Sequence, residues 1–191
     1  MYEQPVSAFA YSLQPRRTSR SRPRRLCKVA ALLLAISAMA VPAKAQPPAT
    51  TLAVLPIKLL DTSAEPKDQT DEHRLRLQSM AVELTSDLGS LGRYHTVPVL
   101  AEDVQRTCIK ETTDCLLSMA RSQGAELVFV GVVHKSSTLI MQMWARIVDA
   151  QTGGVLFSRE LNFRGDNDEA WHRAEAFLID QIREAAPQVQ P

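Results

Sequence analysis

The chain has 191 residues, of which 45% are hydrophobic, and it carries 22 Lys and Arg against 21 Asp and Glu. That length is typical of one globular domain with a single core. Eight of the basic residues and one of the acidic residues precede residue 46, which leaves 14 basic against 20 acidic residues after it. A segment this acidic lacks the positive surface that binds nucleic acid or anionic lipid, so neither is an expected partner.

The first 45 residues have the three parts of a cleavable signal peptide. A basic segment at 16–28 contains no acid, an apolar run follows at 29–41, and the small-x-small triplet Ala43-Lys44-Ala45 comes after it. The apolar run is shorter than the roughly 20 residues that a membrane-spanning helix needs, so a retained anchor is the weaker alternative. Arg24-Arg25 suggests twin-arginine export, but the residues after it match that motif poorly and favour Sec export. We expect a periplasmic protein, cleaved after Ala45, with no stable membrane anchor.

The three cysteines divide between this leader and the remaining chain. Cys27 precedes the apolar run, so it is not positioned as the lipid-bearing cysteine of a lipoprotein. Cys108 and Cys115 remain, and an even number of cysteines in an exported protein predicts a disulfide. Two cysteines are too few for a metal site, and a redox-active pair usually has two intervening residues where this one has six.

After the leader, the chain begins with a tether and a strand. Residues 46–50 are polar, and we expect them to be disordered, as we do the tail at 187–191. Residues 52–60 are apolar apart from Pro56 and Lys58. This run predicts a buried strand with an edge position or a bulge at the proline.

An amphipathic helix is predicted next. After a polar, acid-rich loop, apolar residues recur every three or four positions over 71–91. Thr70 or Asp71 is expected to cap the start of this helix, and Gly89 and Gly92 mark its end.

The remaining elements complete one sheet. We predict a strand at 94–100, a short helical stretch from Glu102, a helix at 114–123 and a buried strand at 126–134. A hairpin follows, with strands at 139–147 and 155–163 and a turn at 149–154. The last predicted element is a helix at 168–185. The order β-α-β-α-β-β-β-α predicts a single α/β (α+β) domain at 51–186, with a five-stranded mixed sheet and three helices.

The candidates for chemistry are weak. The acid-rich loop could supply a carboxylate pair for hydrolysis or a calcium site, but a solvated loop ending in a helix cap is the simpler interpretation. Its acids are Asp61, Glu65, Asp68, Asp71 and Glu72. The histidines are scattered singly and are expected at the surface: His73, His95, His134 and His172. No nucleophile elbow, dinucleotide fingerprint or P-loop is present, so we predict no enzyme, no cofactor and no metal site.

One strand offers a candidate partner contact. Gln142, Trp144 and Arg146 alternate with the apolar side chains of their strand and therefore share its other face. A tryptophan beside an arginine is typical of the energetic centre of a protein interface. The alternative is that a helix covers this face and that Trp144 belongs to the core.

Four segments carry a resemblance to a known family: LAVLP at 52–56, GRYHTV at 92–97, ARSQGAELVFVG at 120–131 and RIVDAQTGGVL at 146–156. Together they resemble the N-terminal domain of TolB and its relatives among the CsgG-like and penicillin-binding-protein-activator lipoproteins. Within that group they are most similar to an exported alphaproteobacterial family of unknown function. The resemblance implies an anticodon-binding-like fold used in envelope protein contacts, and it supplies no catalytic residue.

Three hypotheses for function follow. The first is a non-enzymatic periplasmic interaction or accessory module with an envelope protein as its partner, which requires an exposed apolar or aromatic patch or a free sheet edge. The second is a small-molecule-binding protein, which requires a mostly apolar pocket of several hundred Å³. The third and weakest is a hydrolase that uses the acid-rich loop.

Overall fold

The structure is a computed structural model that describes residues 48–185. The predicted signal peptide at 1–45, its cleavage site after Ala45 and the predicted tail at 187–191 lie outside these residues. Within 48–185, no helix is both long enough and apolar enough to cross a membrane.

The described chain forms one mixed sheet and four helices. The strands are β1 Thr50–Val54, β2 Lys58–Asp61, β3 Tyr94–Pro98, β4 Leu127–Lys135, β5 Met141–Asp149 and β6 Val155–Phe163. The helices are α1 Thr70–Ser90, α2 Ala101–Thr107, α3 Thr113–Ser122 and α4 Asp168–Ala185. The predicted fold class is confirmed, with one more strand than expected and with the short helical stretch after residue 100 as a helix of its own.

The extra strand arises at Pro56. The run predicted as one strand at 52–60 forms two strands, β1 and β2. Proline has no N–H to donate to a neighbouring strand, so the hydrogen-bonded ladder is interrupted there and the chain jogs. Ile57 fills the jog and packs over Gly131, where an added Cβ would lie 2.7 Å from its Cδ1 atom. The predicted tether is also too long, because Thr50 begins β1 and its N–H donates to the Arg93 carbonyl at 3.0 Å.

The sheet order is β3-β1-β4-β5-β6, with β2 paired to the far end of β4. β1 runs parallel to both of its neighbours, and β2 runs parallel to β4. β4, β5 and β6 form an antiparallel meander whose bounds lie within two residues of the predicted ones. The alternation of buried and exposed residues in these long strands fixes the face that each side chain takes.

The two faces of the sheet are covered unequally. One face packs against α1 and α4 in the larger core cluster, whose helical members include Met80, Leu84, Leu88, Trp171, Leu178 and Ile182. The other face packs against α2 and α3 in a smaller cluster with Ala53, Leu55, Val128, Val104, Leu117 and Ala120. The smaller cluster is centred on β1 and the first part of β4, so the β5 and β6 side of this face has no helix in the described chain.

The start of α1 differs from the expected cap. Gln69 occupies the N-cap position and its side chain makes no capping bond. Instead, Asp68 Oδ1 accepts hydrogen bonds from the Thr70 N–H at 3.0 Å and from its hydroxyl at 2.7 Å. At the other end, Gly89 is still helical, and Gly92 with φ +73° turns the chain toward β3.

The predicted disulfide is confirmed. Cys108 follows α2 and Cys115 lies in the first turn of α3, with 5.7 Å between their Cα atoms. Cys108 is buried in the smaller core cluster, so the bond fixes the α2–α3 connection to the sheet.

Replacing both cysteines with alanine is expected to lower the free energy of unfolding by about 2.5 kcal/mol, because the closed loop no longer restricts the unfolded chain. Urea unfolding of the wild type and of Cys108→Ala/Cys115→Ala measures this difference. Wild-type protein under a reducing agent should unfold at the midpoint of the variant, and the reducing agent should leave the variant unchanged. Equal midpoints for oxidised wild type and variant would contradict the prediction.

Candidate interaction surface

The uncovered part of the sheet forms a continuous polar and aromatic surface, which we call the open face. Register places Trp144 between Val132 and Glu160, and Gln142 between His134 and Asn162. The members of the open face are Lys58, Leu60, Val132, His134, Gln142, Trp144, Arg146, Ser158, Glu160 and Asn162. The structure therefore brings the three predicted contact residues together on one face.

Trp144 is not a core residue. Its side chain is half-buried and belongs to neither core cluster of the described residues, so the alternative of a helix-covered tryptophan is wrong. Arg146, two residues along β5, is exposed on the same face. Whether these side chains contact a partner stays a prediction.

The ring of Trp144 is held in place by its neighbours. It stacks on His134 with 5.5 Å between ring centroids and 14° between planes. His134 Nδ1 lies at hydrogen-bond distance from Gln142 Oε1, at 3.2 Å, and His134 Nε2 lies 2.8 Å from the Thr62 hydroxyl oxygen. The aromatic pair is therefore oriented by hydrogen bonds at both ring nitrogens of the histidine.

The open face has an apolar and a charged rim. Leu60 on β2 is 47% exposed, and Ile109 is 86% exposed in the loop that the Cys108–Cys115 disulfide closes. The same loop is tied to β2 by an ion pair of 2.6 Å between Lys58 Nζ and Glu111 Oε2. The disulfide and this ion pair fix the side of the open face that adjoins α2 and α3.

Behind the sheet, on the α1 and α4 side, Asp166 is the centre of a buried polar network. Its carboxylate accepts from His73 Nε2 at 2.8 Å, Lys135 Nζ at 2.9 Å, Arg76 Nη1 at 3.0 Å and Trp171 Nε1 at 3.1 Å. The side chain of Asp166 is 1% exposed. His73 is buried as well, which corrects the expectation that all four histidines lie at the surface.

Part of the acid-rich loop joins this network. Glu65 Oε2 accepts from Lys135 Nζ at 3.1 Å, and Gln69 Oε1 accepts from the same ammonium group. Asp61 lies further from it, at 3.9 Å. The expectation of a fully solvated loop is thus wrong for Glu65, while Asp68 points outward and arranges the start of α1.

The charges in this network stabilise one another. Burial alone would raise the pKa of Asp166, but hydrogen bonds from His73 and Lys135 outweigh it and lower the pKa below the ordinary value. Burial alone would lower the pKa of Lys135, yet its bonds to Asp166 and Glu65 raise it. Both groups are therefore charged at neutral pH. Because their side chains are buried, we interpret the pair as stabilising the folded structure.

A second cluster of polar side chains lies between α1 and α4. Glu83, His172 and Glu175 place one ligand atom each within 4.8 Å of one another. Burial, and then the nearby charges of Asp87 and Glu83, raise the pKa of Glu175 to about 7. The sequence signal was available, because His172 and Glu175 are three residues apart and share a helix face, a pairing that a search for adjacent His-Glu motifs misses.

An apolar cleft of about 760 Å³ lies beside the outer edge of β2. Its walls are formed by Ile57 and Leu59 from the strand region, Leu77 and Val82 from α1, and Leu100 before α2. Polar side chains of His73, Arg74, Asp61 and Glu102 also line it. The cleft has the size and composition that the small-molecule hypothesis requires.

Comparison with known proteins identifies a family. The family DUF3280, described as a protein of unknown function (DUF2380), matches residues 50–182. No curated protein matches the chain. The predicted membership of a family of unknown function is confirmed, and TolB and a lipoprotein are among the solved structures to which the chain is similar. An alphaproteobacterial origin stays a prediction.

Three solved structures illustrate the likeness. The PelC dodecamer from Paraburkholderia phytofirmans is 16% identical, covers 74% of this chain and 90% of that chain, and has a TM-score of 0.48. TolB from Acinetobacter baumannii is 18% identical over 75% of this chain and 30% of that chain, with a TM-score of 0.46. Lipoprotein GNA1162 from Neisseria meningitidis is 17% identical over 71% of this chain and 99% of that chain, with a TM-score of 0.44.

Asp166→Asn is expected to lower the free energy of unfolding by roughly 3 to 5 kcal/mol, because it leaves the Lys135 charge buried with a weakened partner set. Asp168→Asn is the matched control: its carboxylate bonds the same Arg76 at 2.7 Å but is 89% exposed, so its loss should change stability by less than about 1 kcal/mol. Urea unfolding at neutral pH gives both values. Equal effects of the two variants would contradict the assigned role of Asp166.

The wild type and Asp166→Asn also test how the stability depends on pH. Since the folded pKa of Asp166 is lowered, its stabilisation is complete above the ordinary carboxyl value of 3.8 and is lost as the pH falls below it. Unfolding curves across the acidic range should therefore show a steeper loss of stability for the wild type than for Asp166→Asn. Parallel curves would show that Asp166 does not titrate as described.

Proposed function

This chain belongs to the DUF3280 family of unknown function, and we propose that it is an exported, non-enzymatic accessory module of the cell envelope that binds a protein partner through the open face. The observation that carries the proposal is the oriented, half-buried Trp144 on a sheet face that the helices of the described chain leave uncovered. Large aromatic side chains and arginine dominate the binding free energy of protein interfaces.

Orientation of the tryptophan in the free protein favours binding. A side chain that is already ordered loses less conformational entropy on association, which otherwise opposes binding by about 0.5 to 1.5 kcal/mol per side chain. His134 and Gln142 provide this order for Trp144. The free edge of β6 adjoins the open face, and a partner strand could extend the sheet there.

Location in the envelope rests on two independent features. The predicted signal peptide at 1–45 directs export, and the Cys108–Cys115 disulfide is of a kind that persists in oxidising compartments. The acidic charge of the chain after residue 45 disfavours nucleic acid as a partner.

The absence of catalysis is also part of the proposal. The densest polar network of the described residues is closed to solvent, since the side chains of Lys135 and Asp166 are 0% and 1% exposed. Lys135 and Asp166 bond each other and further partners, so neither presents an unpaired donor or acceptor to a substrate.

The test is affinity purification from the native periplasm with a tag at the C-terminus, followed by mass spectrometry. We expect an envelope protein to co-purify, and its recovery to fall by at least about tenfold with Trp144→Ala/Arg146→Ala, because two interface-centre side chains are lost. Leu75→Ala/Arg74→Ala is the matched control, an exposed apolar and arginine pair on α1, which packs on the other face of the sheet. Its recovery should equal that of the wild type.

Two results would contradict the proposal for this surface. One is recovery of the same partner at wild-type level with the Trp144 and Arg146 variant. The other is equal loss with the Leu75 and Arg74 control. Thermal unfolding of all three proteins shows whether any loss of binding is a loss of folding.

The apolar cleft supports a second candidate function, the binding of an apolar small molecule. Its volume falls within the range of about 300 to 1,000 Å³ that ligand pockets occupy. Native mass spectrometry of the protein from its own cells should then show a bound mass, which Val82→Glu in the cleft wall should remove. Leu75→Glu, a similarly exposed α1 site outside the cleft, should keep it. Protein without a bound mass would exclude this candidate.

A further inference from the structure

The cluster between α1 and α4 contains an unusual carboxylate. Glu175 is 0% exposed, and neither of its carboxylate oxygens has a hydrogen-bond partner. A buried carboxylate without partners is strongly unfavourable, and buried charges in proteins are normally paired or coordinate a metal. The surroundings of Glu175 therefore lack a component that its chemistry requires.

The neighbouring side chains make the imbalance larger. Glu83 lies on the facing surface of α1, and Asp87 is one turn further along the same helix and acts on Glu175 through its charge. No Lys or Arg of residues 48–185 forms an ion pair with these three acids, whereas Asp166 nearby has two cationic partners, Arg76 and Lys135. Three acids thus surround one histidine.

His172 completes a set of metal-binding atoms. It lies one helical turn before Glu175 on α4, so both side chains face α1. His172 Nδ1 is 3.1 Å from Glu83 Oε2, and one ligand atom from each of the three residues lies within 4.8 Å of the others. One imidazole nitrogen and two carboxylate oxygens are ligands that Zn²⁺ and related divalent metals accept.

We propose that Glu83, His172 and Glu175 bind one divalent transition metal ion, with Zn²⁺ as the first candidate, and that this ion links α1 to α4. Zinc bonds of about 2.0 to 2.2 Å require the ligand atoms to approach one another to a little over 3 Å. Metal binding therefore requires the two glutamate side chains to rotate and bring their oxygen atoms closer than the present 4.8 Å. A cleft of about 470 Å³ beside Glu83 and His172 gives the ion an entry path and room for a water ligand.

The test uses the full chain, stripped with a chelator and titrated with Zn²⁺ against a competing chromophoric chelator. We expect one ion per chain. Glu175→Gln and His172→Asn should each lower the affinity by at least about 100-fold, because loss of a ligand exceeds the 10- to 100-fold effect of losing a group that merely orients one. Glu184→Gln and His95→Asn, exposed residues outside the cluster, should bind as the wild type does.

Two further measurements separate metal binding from folding. Metal-free Glu175→Gln should unfold at a temperature no lower than that of the metal-free wild type, since the variant loses no hydrogen bond. Zn²⁺ should raise the unfolding temperature of the wild type and not of this variant. Co²⁺ should give a visible absorption band in the wild type that is absent in His172→Asn. Failure of the wild type to bind one ion, or wild-type affinity in Glu175→Gln, would overturn the proposal.

Discussion

The buried carboxylate of Asp166 holds together parts of the chain that are distant in sequence. It bonds His73 and Arg76 at the start of α1, Lys135 at the end of β4 and Trp171 in the first turn of α4. These bonds fix the two long helices relative to each other and to the sheet. A carboxylate with several charged and neutral donors recovers the solvation that it loses on burial, so the network stabilises a specific arrangement as well as the folded state.

The arrangement of α1 and α4 also determines the second cluster. Once Asp166 fixes the first turns of both helices, Glu83 on α1 and His172 and Glu175 on α4 necessarily meet. The same packing covers one face of the sheet in the larger core cluster. The shorter α2 and α3 cover the opposite face in part, and the disulfide between them limits how far they can spread. The open face around Trp144 is the consequence of that short connection.

Local patterns predicted most of the fold because each depends on neighbouring residues. The bounds of β4, β5, β6 and α4 follow from alternating hydrophobicity and from helical spacing. The disulfide follows from the even number of cysteines after residue 45 and from the predicted export. The run at 52–60 predicts one strand with an edge position or a bulge at Pro56, because a single sequence does not show which side of a strand is paired. The predicted α1 caps, Thr70 or Asp71, are also wrong, because Asp68, two residues before Thr70, accepts the Thr70 N–H.

Long-range polar contacts could not be predicted in the same way. His73 and Asp166 are 93 positions apart, and no local pattern marks either as buried. Lys135 ends an apolar strand, where a lysine is ordinarily the first exposed residue, yet its side chain is 0% exposed. Only the His172 and Glu175 spacing gave a local signal. The sequence allowed Trp144 to be either a partner contact or a core residue, because the choice depends on how far α2 and α3 extend over the sheet.

Two buried carboxylates, Asp166 just before α4 and Glu175 within it, allow a direct comparison. Both are buried at the contact of the same two helices, but Asp166 accepts four hydrogen bonds and Glu175 accepts none. Because Glu175 makes no hydrogen bond, an apolar residue in its place would stabilise the contact between α1 and α4 without loss of hydrogen bonding. An unpaired buried glutamate opposite Glu83 and His172 therefore points to a positive charge supplied from outside the chain, and a divalent cation is the species that this set of ligands selects.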